Sequence, residues 1–184
     1  MGTFAADSNA WYHITESGVG FAGSLGCAGA SETDASAVSI HTFNATYPGD
    51  LWQILPISNT TFVFRSKLGT SQHQLDVNLN PKEKDPGRTQ PRLAPTEPLS
   101  KSQQWTIQPW SDGISWKLQN RANRTSYNLD VHEEIGAPMF MSSDTEEFPK
   151  REGQHWMFSS MSAINDVEFS TSLTVRLPTS TFTA

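Results

Sequence analysis

Three tryptophans, Trp52, Trp105 and Trp156, constrain this chain most, because they recur roughly fifty residues apart. Each opens an alternating run: Trp52-Gln53-Ile54-Leu55-Pro56-Ile57, Trp105-Thr106-Ile107-Gln108-Pro109 and Trp156-Met157-Phe158. In the last two, Gln stands two residues ahead, as Gln103-Gln104-Trp105 and Gln154-His155-Trp156, and in the first that place holds Asp50. Upstream of each lies a second recurring piece: Leu75-Asp76-Val77, Leu129-Asp130-Val131 and the altered Leu25-Gly26-Cys27. Superposing the two Leu-Asp-Val triplets also aligns Phe62 and Phe64 with Trp116 and Leu118. The chain therefore reads as three copies of one unit, none large enough to bury a core alone.

The units run over about 11–57, 60–110 and 114–161, preceded by a polar leader, 1–10, and followed by an extension, 162–184. Gly18, Gly20, Gly23, Gly26 and Gly29 break any helix in the first unit, and Ser58-Asn59-Thr60-Thr61 and Ser111-Asp112-Gly113 are turns between strand-like runs. The five prolines between Asn80 and Pro98 rule out a helix or a central strand, so that stretch is expected to be an exposed loop. With 184 residues the chain suits one domain. Abundant Ser, Thr, Gly, Pro and Asn beside six Trp favour short strands over helices. Three multi-stranded units suit a propeller fragment, a solenoid or a closed threefold barrel; three blades is below the usual propeller number, and an all-β fold, a β-trefoil of three imperfect repeats, fits the count.

These residues resemble the ricin-B-type lectin family, whose β-trefoil repeats pair a Leu-Asp-Val-like segment with a later Gln-x-Trp. The resemblance covers roughly residues 10 to 161. It is nearest to cysteine-poor fungal members that begin with a Trp-Tyr-His-Ile-like strand, here Trp11-Tyr12-His13-Ile14. It implies a non-enzymatic, carbohydrate-binding domain that recognises glycans or glycoproteins, with the aspartate as main polar sugar contact.

The chemistry of the residues agrees. An Asp between Leu and Val in an extended run projects to the face opposite its apolar neighbours. As an acceptor-only group it can take two bonds from adjacent sugar hydroxyls. Asp76 and Asp130 are thus the candidate contacts, joined by Asn78, His132 and Phe140. Trp52, Trp105 and Trp156, with Gln103 and Gln154, are read as structural: the indoles fill a shared centre and the glutamines bond nearby backbone.

In the first unit, Gly26 and Asp50 are expected to leave a site without its carboxylate, kept for the fold. Aligning Arg92–Pro95 with Met139–Ser142 puts Pro95 and Ser142 where the family carries a stacking aromatic, with Phe140 aimed to the other face. The family's Asn before Gln is replaced by Ser102 and Gly153. Both departures argue against galactose specificity of the ricin kind.

A competing reading is a protein-interaction trefoil, such as a protease inhibitor, acting through the Pro-rich loop 80–98 with its Lys82, Lys84, Arg88 and Arg92. Enzyme chemistry finds no support. There is no phosphate loop and no Gly-x-Ser-x-Gly elbow, and His132-Glu133-Glu134-Ile135-Gly136 lacks the second His of a zinc helix. Adjacent pairs Glu133/Glu134 and Glu146/Glu147 point to opposite faces in an extended chain and do not make a glycosidase pair. No cofactor and no metal are expected.

The formal net charge of -6 argues against a nucleic-acid surface. A single Cys27 cannot form an internal disulfide and leaves the compartment open. The first residues lack the charged leader and apolar run of a signal peptide, and no stretch has the length to span a bilayer, so the chain reads as soluble. The Ser/Thr-rich PTSTFTA end reads as the start of a linker, which keeps an extracellular or membrane-tethered setting open beside a cytoplasmic one. Alternation from Phe169 to Leu177 predicts a strand in the extension. That strand either packs on its own domain, the simpler expectation, or pairs with a second copy in a homodimer.

Overall fold

A computed structural model describes residues 3–27, 36–69, 71–77, 89–97, 99–123, 127–132, 134–143 and 152–170. Among them lie twelve strands: β1 (Ala10–Glu16), β2 (Gly23–Cys27), β3 (Ser36–Thr42), β4 (Trp52–Pro56), β5 (Thr61–Ser66), β6 (His73–Val77), β7 (Pro91–Pro95), β8 (Trp105–Pro109), β9 (Trp116–Asn120), β10 (Asn128–Val131), β11 (Met139–Ser142) and β12 (Trp156–Ala163). Six of them close a barrel, in the order β1, β4, β5, β8, β9, β12 and back to β1, every neighbour antiparallel. The other six form the hairpins β2–β3, β6–β7 and β10–β11. The hairpins meet at one end of the barrel through Ser36 opposite Leu93, the Ser39–Pro138 bridge and the Met141 N–H on Thr89 O at 2.9 Å. Four strands per copy, two in a barrel and two in a cap, repeated three times, make this a β-trefoil.

The repeated residues stack in layers. Trp52, Trp105 and Trp156 are fully buried, as are Ile14, Phe64 and Leu118 one layer away and Leu25, Leu75 and Leu129 in the caps. Each indole N–H donates to the carbonyl of its own repeat's Leu: Trp52 to Leu25 at 2.7 Å, Trp105 to Leu75 at 3.0 Å, Trp156 to Leu129 at 2.9 Å. This bond ties barrel to hairpin, so the indole satisfies its polar edge while burying its large apolar face. Cys27 lies in the same core, where burial pushes its thiol pKa up, the state of an inert apolar filler.

Residues outside the repeats pack against the barrel in two places. Phe4 meets Phe62, Trp116 and Phe158 edge-on or tilted, with ring centroids 5.6, 5.2 and 4.8 Å away. Beyond β12, Ile164 N bonds Asn9 O, and Phe169 packs at 4.8 Å on Trp11, beside Leu51. Gln53 Nε2 holds the Phe169 carbonyl at 2.7 Å, and Glu168 accepts from the Ser71 N–H and hydroxyl.

Two expectations need correction. The predicted strand does not start at Phe169: Val167–Ser170 is a single helical turn, and Phe169 is used to cover Trp11 on its own domain. Residues 171–184 lie outside the described residues. The Pro-rich stretch is not all loop either. Pro91–Pro95 forms β7, paired with β6 along its full length. Proline is tolerated because it occupies only the first and last positions, and Leu93 and Ala94 between them are buried. Residues 78–88, with Asn78, Lys82, Lys84 and Arg88, lie outside the described residues.

Candidate functional site

The caps bring strand residues to equivalent places in each repeat. In repeat two, Asp76 stands opposite Arg92 across the β6–β7 pair, and Arg92 Nε donates to Asp76 Oδ2 at 2.9 Å. Asp76 is 3% exposed, and its Oδ1 is enclosed with no hydrogen-bond partner among the described residues. Beside it opens a cavity of about 280 Å³ lined by Asp76, Arg92, Pro95, Glu97, Ser102 and Gln103 among others. Gln103 is turned away from the aspartate: it accepts the Glu97 N–H at 2.8 Å and donates to Pro95 O at 2.7 Å.

Repeat three uses the same positions differently. Gln119 Nε2 donates to Asn128 Oδ1 at 3.0 Å, Asn128 Nδ2 to Gln154 Oε1 at 2.9 Å, and Gln154 Nε2 to Asp130 Oδ2 at 2.9 Å. The Val131 N–H reaches Asp130 Oδ1 at 2.8 Å. This relay rigidly aims the carboxylate while using part of its accepting capacity. Gly153 allows the close approach, because a Cβ there would lie 2.0 Å from Val131 O. Phe140 stands opposite Asp130, and opposed residues of an antiparallel pair share a face. The His132 ring lies 5.3 Å from that of Phe140. Asp130, His132 and Phe140 are therefore brought together.

The register corrects the alignment made from sequence by one residue. Val77 faces Pro91 and Val131 faces Met139, so Arg92 corresponds to Phe140, and Ala94 to Ser142. The aromatic stands on the aspartate's face in repeat three, and its repeat-two counterpart is an arginine. Sequence alternation alone missed this because the loops before β7 and β11 differ in length.

Repeat one also differs from expectation. A Cβ on Gly26 would fall 2.1 Å from His41 Nε2 and 2.6 Å from Asp50 Oδ1. A carboxylate has not been lost from this place; Asp50 delivers it from the Gln position instead. It is 1% exposed, accepts the Asn44 N–H at 2.8 Å and lies 3.8 Å from His41 Nε2. Burial pushes the Asp50 pKa up, against the pull of Asn44, His41 and His13. His41 and Asp50 occupy the space that a side chain at Gly26 would take.

Behind the repeat-two aspartate runs a polar seam unmarked by the motifs. Gln53 faces Arg65 and Arg65 faces Gln74, while Gln74 shares its strand face with Asp76. Arg65 is 5% exposed, and among the described residues its Nε and Nη1 and both amide atoms of Gln74 have no hydrogen-bond partner. Burial lowers the Arg65 pKa. Arg65 and Gln74 correspond to Gln119 and Asn128, which repeat three joins by a hydrogen bond.

One Ser/His/Asp cluster required scrutiny as a catalyst. Ser115 Oγ and Asp112 Oδ2 both approach His155 Nδ1, at 2.8 and 3.0 Å, and the serine hydroxyl donates to Asp112 Oδ2. His155 is fully buried with Trp110 stacked 4.6 Å away, and Trp110 bonds Gln154 O. A nucleophile needs its base on the hydroxyl proton and an approach for substrate. Here the hydroxyl proton goes to Asp112 rather than to the imidazole, and Ser115 and His155 are both buried, so the cluster pins the β8–β9 turn to the Gln154 turn. Among the described residues no group of three His, Cys, Asp or Glu could hold a metal ion.

No protein-family profile and no curated protein matches the chain. Solved structures do. The chain is similar to the designed threefold-symmetric protein ThreeFoil, at 18% identity and TM-score 0.64, covering 82% of this chain and 99% of that one. It is also similar to the Rhizoctonia solani agglutinin, at 12% identity and TM-score 0.62, covering 86% and 97%. A third is an exo-β-1,3-galactanase from Clostridium thermocellum, at 18% and 0.65, covering 85% of this chain and 31% of that one. The chain thus spans about a third of the galactanase, and only 18% of a similar mosquitocidal holotoxin. At these identities the likeness shows the β-trefoil fold alone, shared by an agglutinin, a toxin and a glycan-cleaving enzyme.

Proposed function

We propose that the protein is a non-enzymatic carbohydrate-binding module of the ricin-B-type lectin kind, with sites at Asp76 in repeat two and Asp130 in repeat three. The observation that carries the reading is the Asp76–Arg92 pair on the wall of an open repeat-two cavity of about 280 Å³. A pyranose seated there would offer its hydroxyls as donors to the carboxylate and as acceptors to the remaining Arg92 N–H groups. In repeat three the apolar ring of Phe140 beside the aimed Asp130 gives a second, differently built place for a sugar.

Such shallow sites bind few atoms each, so affinity for a glycan-coated surface comes from engaging both at once. The test is a glycan array probed with wild type and with the Asp76→Ala, Asp130→Ala double variant, each verified as folded by circular dichroism. Binding present in wild type and absent in the folded double variant supports the reading. Undiminished binding in that variant rejects these two sites.

A further inference from the structure

The two candidate sites differ in the residue opposite each aspartate. In repeat three Phe140 faces Asp130, while in repeat two the same register position holds Arg92, whose side chain is 39% exposed on the cavity wall. Its Nε is spent on Asp76, and a guanidinium carries further N–H groups in a planar fork suited to carboxylates and sulfates. One strand further back, Arg65 stands opposite Gln74, outside the residues that line the cavity, so the positive charge offered to a ligand there is that of Arg92. At the equivalent positions of repeat three, Gln119, Asn128 and Phe140 are neutral. Glu97, exposed at the rim of the repeat-two cavity, opposes this bias from where solvent screens it.

We propose that the repeat-two cavity takes an acidic saccharide, its hydroxyl on Asp76 and its carboxylate or sulfate ester on Arg92, while repeat three takes a neutral sugar. The inference rests on the glycan-binding reading above, and names the ligand class of one of its sites.

Titration calorimetry with the full chain decides it, using three disaccharides that differ only in the terminal unit: glucose, glucuronate and glucose sulfated at O6. The Asp130→Ala variant isolates repeat two. The expected result is binding of an acidic probe about tenfold or more tighter than the neutral one, as one charge-assisted hydrogen bond supplies. The glucuronate and sulfate arms show which acid fits. The preference should shrink at high salt, vanish in Arg92→Gln and survive in part in Arg92→Lys. Asp76-dependent binding that treats the three probes alike overturns this inference and leaves the glycan reading intact. Failure of every glycan in both the calorimetry and the array overturns both.

Discussion

Gly26 and Asp50 have exchanged roles relative to Asp76 and Gln103: the strand residue has lost its side chain, and the carboxylate comes from the turn before Trp52. Restoring the strand aspartate alone must therefore fail. Gly26→Asp would drive its Cβ into His41 and Asp50, and overpacking of a buried site costs about 1–3 kcal/mol or more. Adding Asp50→Gln and His41→Ala, which copies repeat two, should recover most of the loss. Urea midpoints of the single and triple variants provide the comparison, and equal midpoints would refute the steric account.

The two proposed binding aspartates should differ in what they contribute to stability. Asp130→Ala strands the Gln154 amide and the Val131 N–H inside the protein, a loss of about 2–3 kcal/mol. Asp76→Ala frees only Arg92, which is partly exposed and can turn to water, so the cost should stay below about 1 kcal/mol. Thermal melting of the two single variants ranks them. A costlier Asp76→Ala would mean that its carboxylate is engaged as fully as that of Asp130.

Acid should expose the contribution of the β8–β9 turn. Partial burial works against ionisation of Asp112, but donors from the Ser115 hydroxyl, the Ser115 and Ile114 amides and His155 outweigh it and hold the carboxyl pKa at about 2. The folded value lies below the ordinary 3.8, so the stabilisation is complete above pH 3.8 and is lost as pH falls toward 2. Because Asp112 sits in an exposed turn where solvent screens it, its contribution is at most about 1 kcal/mol. The stability difference between wild type and Asp112→Asn, followed by urea titration, should shrink across that window. A difference independent of pH would exclude this origin.

The three indole-to-carbonyl bonds predict threefold equivalence in energy. Trp105→Phe leaves the Leu75 carbonyl unpaired and a void at the barrel wall, together worth about 2–4 kcal/mol. Trp52→Phe and Trp156→Phe should cost similar amounts. Denaturant titration of the three variants checks the equivalence, and one markedly milder loss would show that its repeat contributes less to the shared core.

How far the sequence was legible follows from where its periodicity survives. The Trp spacing and Leu-Asp-Val pieces led to a β-trefoil because core layers tolerate few residue types, and Ile14, Phe64 and Leu118 are still recognisably one position. The site was less legible. Arg92 and Phe140 share a register set by strand pairing across loops of unequal length, and no local pattern counts across such loops. Gln119 and Asn128 carry no motif at all. Their relay exists only once β9, β10 and the Gln154 turn are folded together. Pro91 and Pro95 misled for a related reason, since composition cannot tell a strand bounded by prolines from a loop containing them.

The pairing of β1 with β12 has a kinetic side. Residues 10–16 find their partners at 156–163, almost the full described length of the chain away. The barrel wall stays open until that late segment arrives, and loop closure of this span is slow compared with a local hairpin. Phe4 can seat only after the same event, since Phe158 is one of its contacts. On a ribosome, β1 could pair with β4 early, but its other edge, from Ala10 to Glu16, would wait for the end of the third repeat.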